Sequence, residues 1–418
     1  MELKKQLMKI TAVVFLAFAA AACAPERSMV PAPASPRSDT QIEEITSPVV
    51  EGAEPFLSAT RDGVLLSWLE PIPGGQFSAL RFSRYRAERW TEPRTIVQRN
   101  DLFVNWADFP SIVEDEKGTL FAHWLQKSGA GTYAYDVRMA TSVDGGTTWG
   151  APFLLNRDGR QSEHGFVSLV PLPGGGVGAT WLDGRNMMAG GGDHEGHDAG
   201  DMTLRYATVD ASGTLTADVE IDPRTCECCA TGMAMTAGGP VIVYRDRSAE
   251  EIRDISYVRQ TAEGWTQPAA VREDGWKIAG CPVNGPQIDA SGDHLAIAWF
   301  SVVQEKPRVY LAFSEDGGAT IGNAIIVDDG KPAGRVDVVM LDDESALVTW
   351  LEQTTAGAEF RARRVSPTEV APSMKIADTT SARGAGFMRA ASSGEDVFFA
   401  WTVQTEKGKT IRLARTRL

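Results

Sequence analysis

Three of the chain's five cysteines fall within four positions: RTCECCAT, from Arg224 to Thr231, holds Cys226, Cys228 and Cys229. A fourth, Cys281, lies in AGCPVNGP. Thiols at this spacing do one of two kinds of chemistry. In an oxidising compartment four cysteines give two disulfides, in three possible pairings. A bond between adjacent Cys228 and Cys229 would be strained, so the expected pairing avoids it. The competing reading is a metal centre. Cys226 and Cys229 have C-x-x-C spacing, and His164, His194 and His197 are three of only five histidines. Thiolate and imidazole together suit copper or zinc. His194 and His197 belong to the run NMMAGGGDHEGHDAGDM, which adds the thioethers of Met187, Met188 and Met202.

A second set of residues suits an anionic or carbohydrate ligand. WLDGR supplies Asp183 and Arg185, YRDRS supplies Arg245 and Asp246, and Asn284 and Arg335 follow further along. Planar guanidinium groups grip a carboxylate through paired N–H donors. Arg185, Arg245 and Arg335 are therefore a candidate clamp, with His164 and Asn284 as further substrate-binding candidates. The alternative is that each arginine pairs with a neighbouring Asp183, Asp246 or Asp337 and stiffens a loop. Glycosidic cleavage needs two carboxyls flanking the bond. Asp183 and Asp246 are the candidate catalytic pair, with Asp108 and Glu163 as substitutes.

These residues need elements that bring them together, and a repeat supplies them. An aromatic closes a short apolar strand in LLSWLEP (Trp68), FAHWLQK (Trp124), GATWLDG (Trp181), VIVYRDR (Tyr244), AIAWFSV (Trp299), LVTWLEQ (Trp350) and FFAWTVQ (Trp401). The spacing is roughly 51 to 63 residues, and a polar turn such as ATRDG, EDEKG or LPGGG precedes each copy. Each copy thus begins with a β-hairpin. A third strand (RYATV, YLAFS) and a short fourth strand (PFLL, AIIV) follow. Four short antiparallel strands at this period predict an all-β propeller of seven blades, with six as the alternative if one copy is degenerate. Only IRLARTRL follows Trp401, so the last blade lacks a fourth strand. IEEITSPVV near the N-terminus is expected to supply it and close the ring.

The turns TSVDGGTTWGAP and FSEDGGATIGNA resemble the Asp-box of the sialidase-like (BNR-repeat) propellers, with Ile321 in the second where tryptophan is usual. The resemblance implies that fold and, through an arginine triad that holds a sialic acid carboxylate, an exo-sialidase or other glycoside hydrolase. The chain departs from that family where EPFLSAT opens blade one without the usual arginine, and where Phe387 stands in place of a tyrosine nucleophile. Topology sorts the polar residues: first strands begin, and second strands end, on one face. That face should collect Trp106, Asp108, Glu163, His164, the four cysteines, Asn284, Arg335 and Phe387.

The ends give an address. Lys4, Lys5 and Lys9 precede an apolar run from Ile10 to Ala22 that is too short to span a bilayer. AAAC resembles a lipobox, implying a signal peptide over 1–22, lipidation of Cys23, a Pro/Ala/Ser-rich linker over 23–40 and a propeller domain over 41–418. An outer-membrane lipoprotein and a monomer are expected, touching the membrane only through its lipid. The net charge of −14 makes nucleic acid a poor partner. Three functions remain open: acting on or binding glycans, a metal-binding or redox-linked role in the envelope, or a scaffold for protein contacts.

Overall fold

The computed structural model describes residues 41–187 and 200–418, and they form seven antiparallel sheets in a ring. Each sheet is one blade, running outward from an inner first strand. The seven first strands are Ala53–Thr60, Ser111–Glu114, His164–Pro171, Gly232–Thr236, Gln287–Ser291, Pro332–Met340 and Arg389–Ser393. Each pairs with a second strand that ends one to four residues beyond the repeated aromatic, and in the first six blades the third and fourth strands follow in chain order. Seven blades, with no α-helix among the described residues, is the architecture that the repeat predicts.

The repeated aromatic explains the period. Trp68, Trp124, Trp181, Tyr244, Trp299, Trp350 and Trp401 are all buried. Each belongs to a different one of seven apolar clusters, and each cluster is built from two neighbouring blades. One large ring per inter-blade seam supplies apolar area that a four-stranded sheet cannot bury alone. Truncating one such ring to alanine removes about 3–5 kcal/mol.

Polar latches join the inner strands. The Ser58 hydroxyl donates to Ile112 O in the next blade at 2.7 Å. Asp108 accepts from Phe166 N at 2.8 Å, Asp289 from Met340 N at 2.8 Å, and Asp337 from Ala390 N at 2.9 Å. These carboxyls line an axial cavity of about 570 Å³ to which all seven first strands contribute.

The ring closes as expected. Glu43–Ile45 pairs antiparallel with Gly408–Arg417, aligning Glu43 with Arg415 and Ile45 with Leu413. At the turn after the third strand of blade two, Asp144 accepts from Ser142 Oγ, Thr147 N and Thr148 N. Gly145 and Gly146 there take positive φ, and Trp149 packs edge-on against Phe82 of blade one. Asp316 closes the corresponding turn of blade five through Ser314 and Thr320.

Candidate functional site

The residues sorted to one face fall into several separate networks, and irregular first strands set their places. In blades one, three and six the register slips between Ala53 and Phe56, between Gly165 and Ser168, and between Gly334 and Asp337. Glu54, Phe166 and Arg335 stand within these bulges with φ of 55°, 52° and 55°. Left-handed non-glycine residues are disfavoured, and a bulge holds them in place by surrounding pairing while re-aiming their side chains.

Blades two and three meet at Tyr135. Its hydroxyl lies 2.9 Å from Asp108 Oδ2 and 3.0 Å from Glu163 Oε1. A phenol has one hydrogen to donate, so it satisfies only one carboxylate. The second contact requires a protonated carboxyl that donates to the phenol oxygen. Burial pushes both carboxyls in that direction. Glu163 rises to about 8, with the Asp108 and Glu227 charges reinforcing burial against the tyrosine hydrogen bond. Asp108 rises to about 7. Tyr135 is pushed well up by burial and by both carboxylates. Space is tight: a Cβ on Gly165 would sit 1.9 Å from Asp108 Oδ2. Asp108 and Tyr135 are buried, Asp108 lines the axial cavity, and Glu163 keeps partial exposure.

His164 lies beside this array, fully buried. Its Nδ1 faces the Tyr135 and Ser162 carbonyls at 3.1 Å, and its Nε2 faces Asp158 at 3.3 Å and Asp183 at 3.6 Å. Acceptors on both ring nitrogens call for an imidazolium. Burial opposes the charge, but the two aspartates outweigh it and raise the histidine pKa. Burial likewise opposes ionisation of Asp158, and the His164 contact outweighs it, bringing that carboxyl down to about 2. Asp158, His164 and Asp183 also offer converging metal-ligand atoms. Asp183 also accepts from Trp181 Nε1 at 2.8 Å and from Arg185 Nε and Nη2 at 2.8 and 2.7 Å. Its oxygens are occupied, as the stiffening alternative foresaw for Arg185.

The other two arginines lie elsewhere, and backbone carbonyls occupy both. Arg245 donates to Asn284 O at 2.7 Å, Phe300 O at 2.7 Å and Arg253 O at 2.6 Å, and stacks 4.8 Å over Trp276. Arg335 donates to Gly386 O, Ser381 O and Ala382 O and lies 5.1 Å over Trp106. Burial alone lowers Arg335 to about 10. Asn284 links the two, since its side-chain oxygen accepts from Arg335 N at 2.8 Å. The expected carboxylate clamp thus takes the form of a belt tying blades four to seven together, with its donors spent on the chain itself. Asp246 accepts from Arg247 N and Ser256 Oγ, and burial followed by the Asp222 charge raises its pKa. Asp183 and Asp246 therefore belong to separate networks.

The cysteines divide unequally, which corrects the expectation of two disulfides. Cys228 is bonded to Cys281, while Cys226 and Cys229 are buried thiols with sulfurs 3.3 Å apart. Arg253 Nη1 donates to Cys226 Sγ at 3.2 Å and to Glu227 at 2.8 Å, and Arg247 pairs with the other Glu227 oxygen. Burial raises a thiol, but the Cys229 hydrogen bond and the Arg253 charge outweigh it and bring Cys226 to about 7. Cys229 is driven well up by burial and by its partner. With Cys228 and Cys281 joined, only two of the four sulfurs remain as thiol ligands for copper or zinc. His194 and His197, like Met188, lie outside the described residues. Met187 packs against the cluster that holds Cys226, Cys228 and Cys229.

The sequence reading did not single out Tyr135, Glu227 or Arg253. The topology rule that sorted first and second strands reaches two of them, because third strands start where second strands end. Tyr135 opens the third strand Tyr135–Ser142, and Arg253 lies two residues before the third strand Ile255–Thr261.

No family model matches the chain, and no curated protein matches it. Solved structures do. The polysaccharide lyase Uly1 aligns with a TM-score of 0.50 at 10% identity, over 88% of this chain and 90% of the other. A protein of unknown function from Dyadobacter fermentans aligns at 0.49 and 14% identity, over 76% and 97%. A Hadza microbial sialidase aligns at 0.48 and 14% identity, over 82% and 74%. At such identities the likeness is one of fold alone.

Proposed function

We propose that this propeller acts on a glycan at the face carrying Tyr135, with Glu163 as the group that gives a proton to the oxygen of the bond being broken. The observation that carries this reading is the single tyrosine hydroxyl shared by two carboxyls, which keeps one of them protonated near neutral pH. A general acid needs this property, and burial together with a neighbouring acid is how a carboxyl acquires it. Asp108 and Tyr135 position Glu163 and hold the shared proton. Trp106, two residues before Asp108, is half-buried, stacked on Phe387 with Arg335 and Arg383 also over its ring, and its exposed edge is an aromatic surface that a sugar can contact. The reading carries with it the export signal and lipidated Cys23 expected from the first residues, which would present this face to envelope or external glycans.

The test is a panel of neutral and anionic oligosaccharides and aryl glycosides, assayed for binding and turnover with wild type, Glu163→Gln and Tyr135→Phe. Turnover in wild type that falls at least a hundredfold in Glu163→Gln with binding retained supports the proposal. No turnover of any glycan, or turnover indifferent to Glu163→Gln, refutes it.

A further inference from the structure

The cysteine cluster carries chemistry that the glycan reading does not use. Its sulfurs form a chain of contacts from the surface inward. Cys281 is partly exposed and bonded to Cys228. Cys226 Sγ lies 3.8 Å from Cys228 Sγ and 3.3 Å from Cys229 Sγ. Cys226 and Cys229 are sealed, with 0% and 2% of their surface exposed. An Arg253 N–H donates to Cys226 Sγ at 3.2 Å, and Cys226 in turn faces Cys229 Sγ at 3.3 Å. Glu227 and Glu251 clamp Arg253 in turn, at 2.8 Å each. A fixed cation beside a sulfur stabilises its thiolate, the nucleophile of disulfide exchange, and this sulfur touches a disulfide.

We propose that the four cysteines form a thiol–disulfide relay, in which one disulfide moves between Cys228–Cys281 and Cys226–Cys229. In the first step the Cys226 thiolate attacks Cys228 Sγ. The Cys226–Cys228 bond forms, the Cys228–Cys281 bond breaks, and Cys281 leaves with the electron pair and takes up a proton. In the second step Cys229, as it loses its proton, attacks Cys226 Sγ. The Cys226–Cys229 bond forms, the Cys226–Cys228 bond breaks, and Cys228 leaves as the thiolate and receives that proton. One disulfide and two thiols stand on each side, so the migration requires no outside oxidant. It carries a pair of reducing equivalents from a sealed pocket to Cys281, where an external disulfide can take them or an external dithiol can restore them. The bond that migrates also tethers the loop bearing Asn284, the partner of both Arg245 and Arg335.

The test uses the full exported chain in a glutathione buffer poised to leave two thiols per molecule. The native protein is treated with a polar maleimide, quenched in acid and mapped by mass spectrometry of non-reduced peptides. The relay predicts label on Cys281, with Cys226–Cys229 as the disulfide of the labelled molecules. Cys226→Ser should slow Cys281 labelling at least tenfold. Cys229→Ser should leave it fast, with Cys226–Cys228 as the remaining bond. If Cys226→Ser does not fold, Arg253→Gln keeps all four sulfurs and should slow Cys281 labelling. Label confined to Cys226 and Cys229 overturns the relay. So does Cys281 labelling unchanged in Cys226→Ser or in Arg253→Gln, or a poised sample holding only fully oxidised and fully reduced molecules.

Discussion

Replacing Glu163 with glutamine should make the protein more stable, and by an amount that depends on pH. Glutamine has the shape of the protonated glutamate and keeps an N–H donor for the Tyr135 oxygen. In wild type the Glu163 pKa rises from 4.5 to about 8 on folding, chiefly through burial. Between those values the folded chain holds a proton that the unfolded chain has released, so wild-type stability falls as pH rises through the window. Below pH 4.5 the carboxyl is neutral in both states and the substitution should be nearly silent. One pKa unit corresponds to about 1.4 kcal/mol, so the ceiling above pH 8 is about 5 kcal/mol. Relaxation around the carboxylate and proton sharing with Asp108 reduce this to about 2–4 kcal/mol. Urea denaturation of both proteins at intervals from pH 4.5 to 8.5 reads the difference directly. Curves that stay parallel would show that Glu163 titrates like a solvated carboxyl, and the reasoning behind the proton donor would fall with them.

His164→Asn should destabilise most near pH 5, by about 2–4 kcal/mol, because it leaves Asp158 and Asp183 facing each other without a cation. The imidazolium contribution is fully present below the ordinary histidine pKa of about 6.5 and fades as pH passes the raised folded value, so the wild-type advantage should narrow above neutrality. Arg245→Lys breaks a fork serving three carbonyls of two blades, and denaturant midpoints should report a loss of about 2–4 kcal/mol. Cys23→Ser should abolish incorporation of radiolabelled palmitate and move the protein from the membrane fraction to the soluble one; retained label would refute the lipobox reading.

The ring was legible because its physics is repetitive. Every seam requires one large aromatic at the same strand position, so Trp68 to Trp401 number the blades without reference to any other residue. Closure was legible for the same reason, as a missing strand at one end of the chain and a surplus strand at the other. The site was legible only as a set of positions sharing a face. An arginine after a strand offers the same donors to a ligand, to an aspartate or to a backbone carbonyl, and the spacing in YRDRS does not distinguish them. Arg245 and Arg335 went to carbonyls because the backbone of loops and of one strand directs oxygens at them, a feature of backbone geometry. Asp108 and Glu163 could be identified as carboxyls on that face. Their union depends on Tyr135, which opens a third strand and carries no mark of the repeat.

Three residue pairs, Glu43 to Ile45 against Arg415 to Leu413, complete the circle, and a guanidinium–carboxylate contact there spans 372 positions. The consequence is one of order in time. The closing strand leaves the ribosome ahead of every blade, and its partner leaves after all the other strands of the ring. Until the two meet, the chain is an open arc with an unpaired edge at each end, and a contact of such long range forms slowly. During this interval nothing latches the first strand of blade seven against that of blade one, and the axial cavity that both line stays unsecured on that side. Any work done at the centre of this molecule therefore waits on a contact between the first and the last strands of its ring.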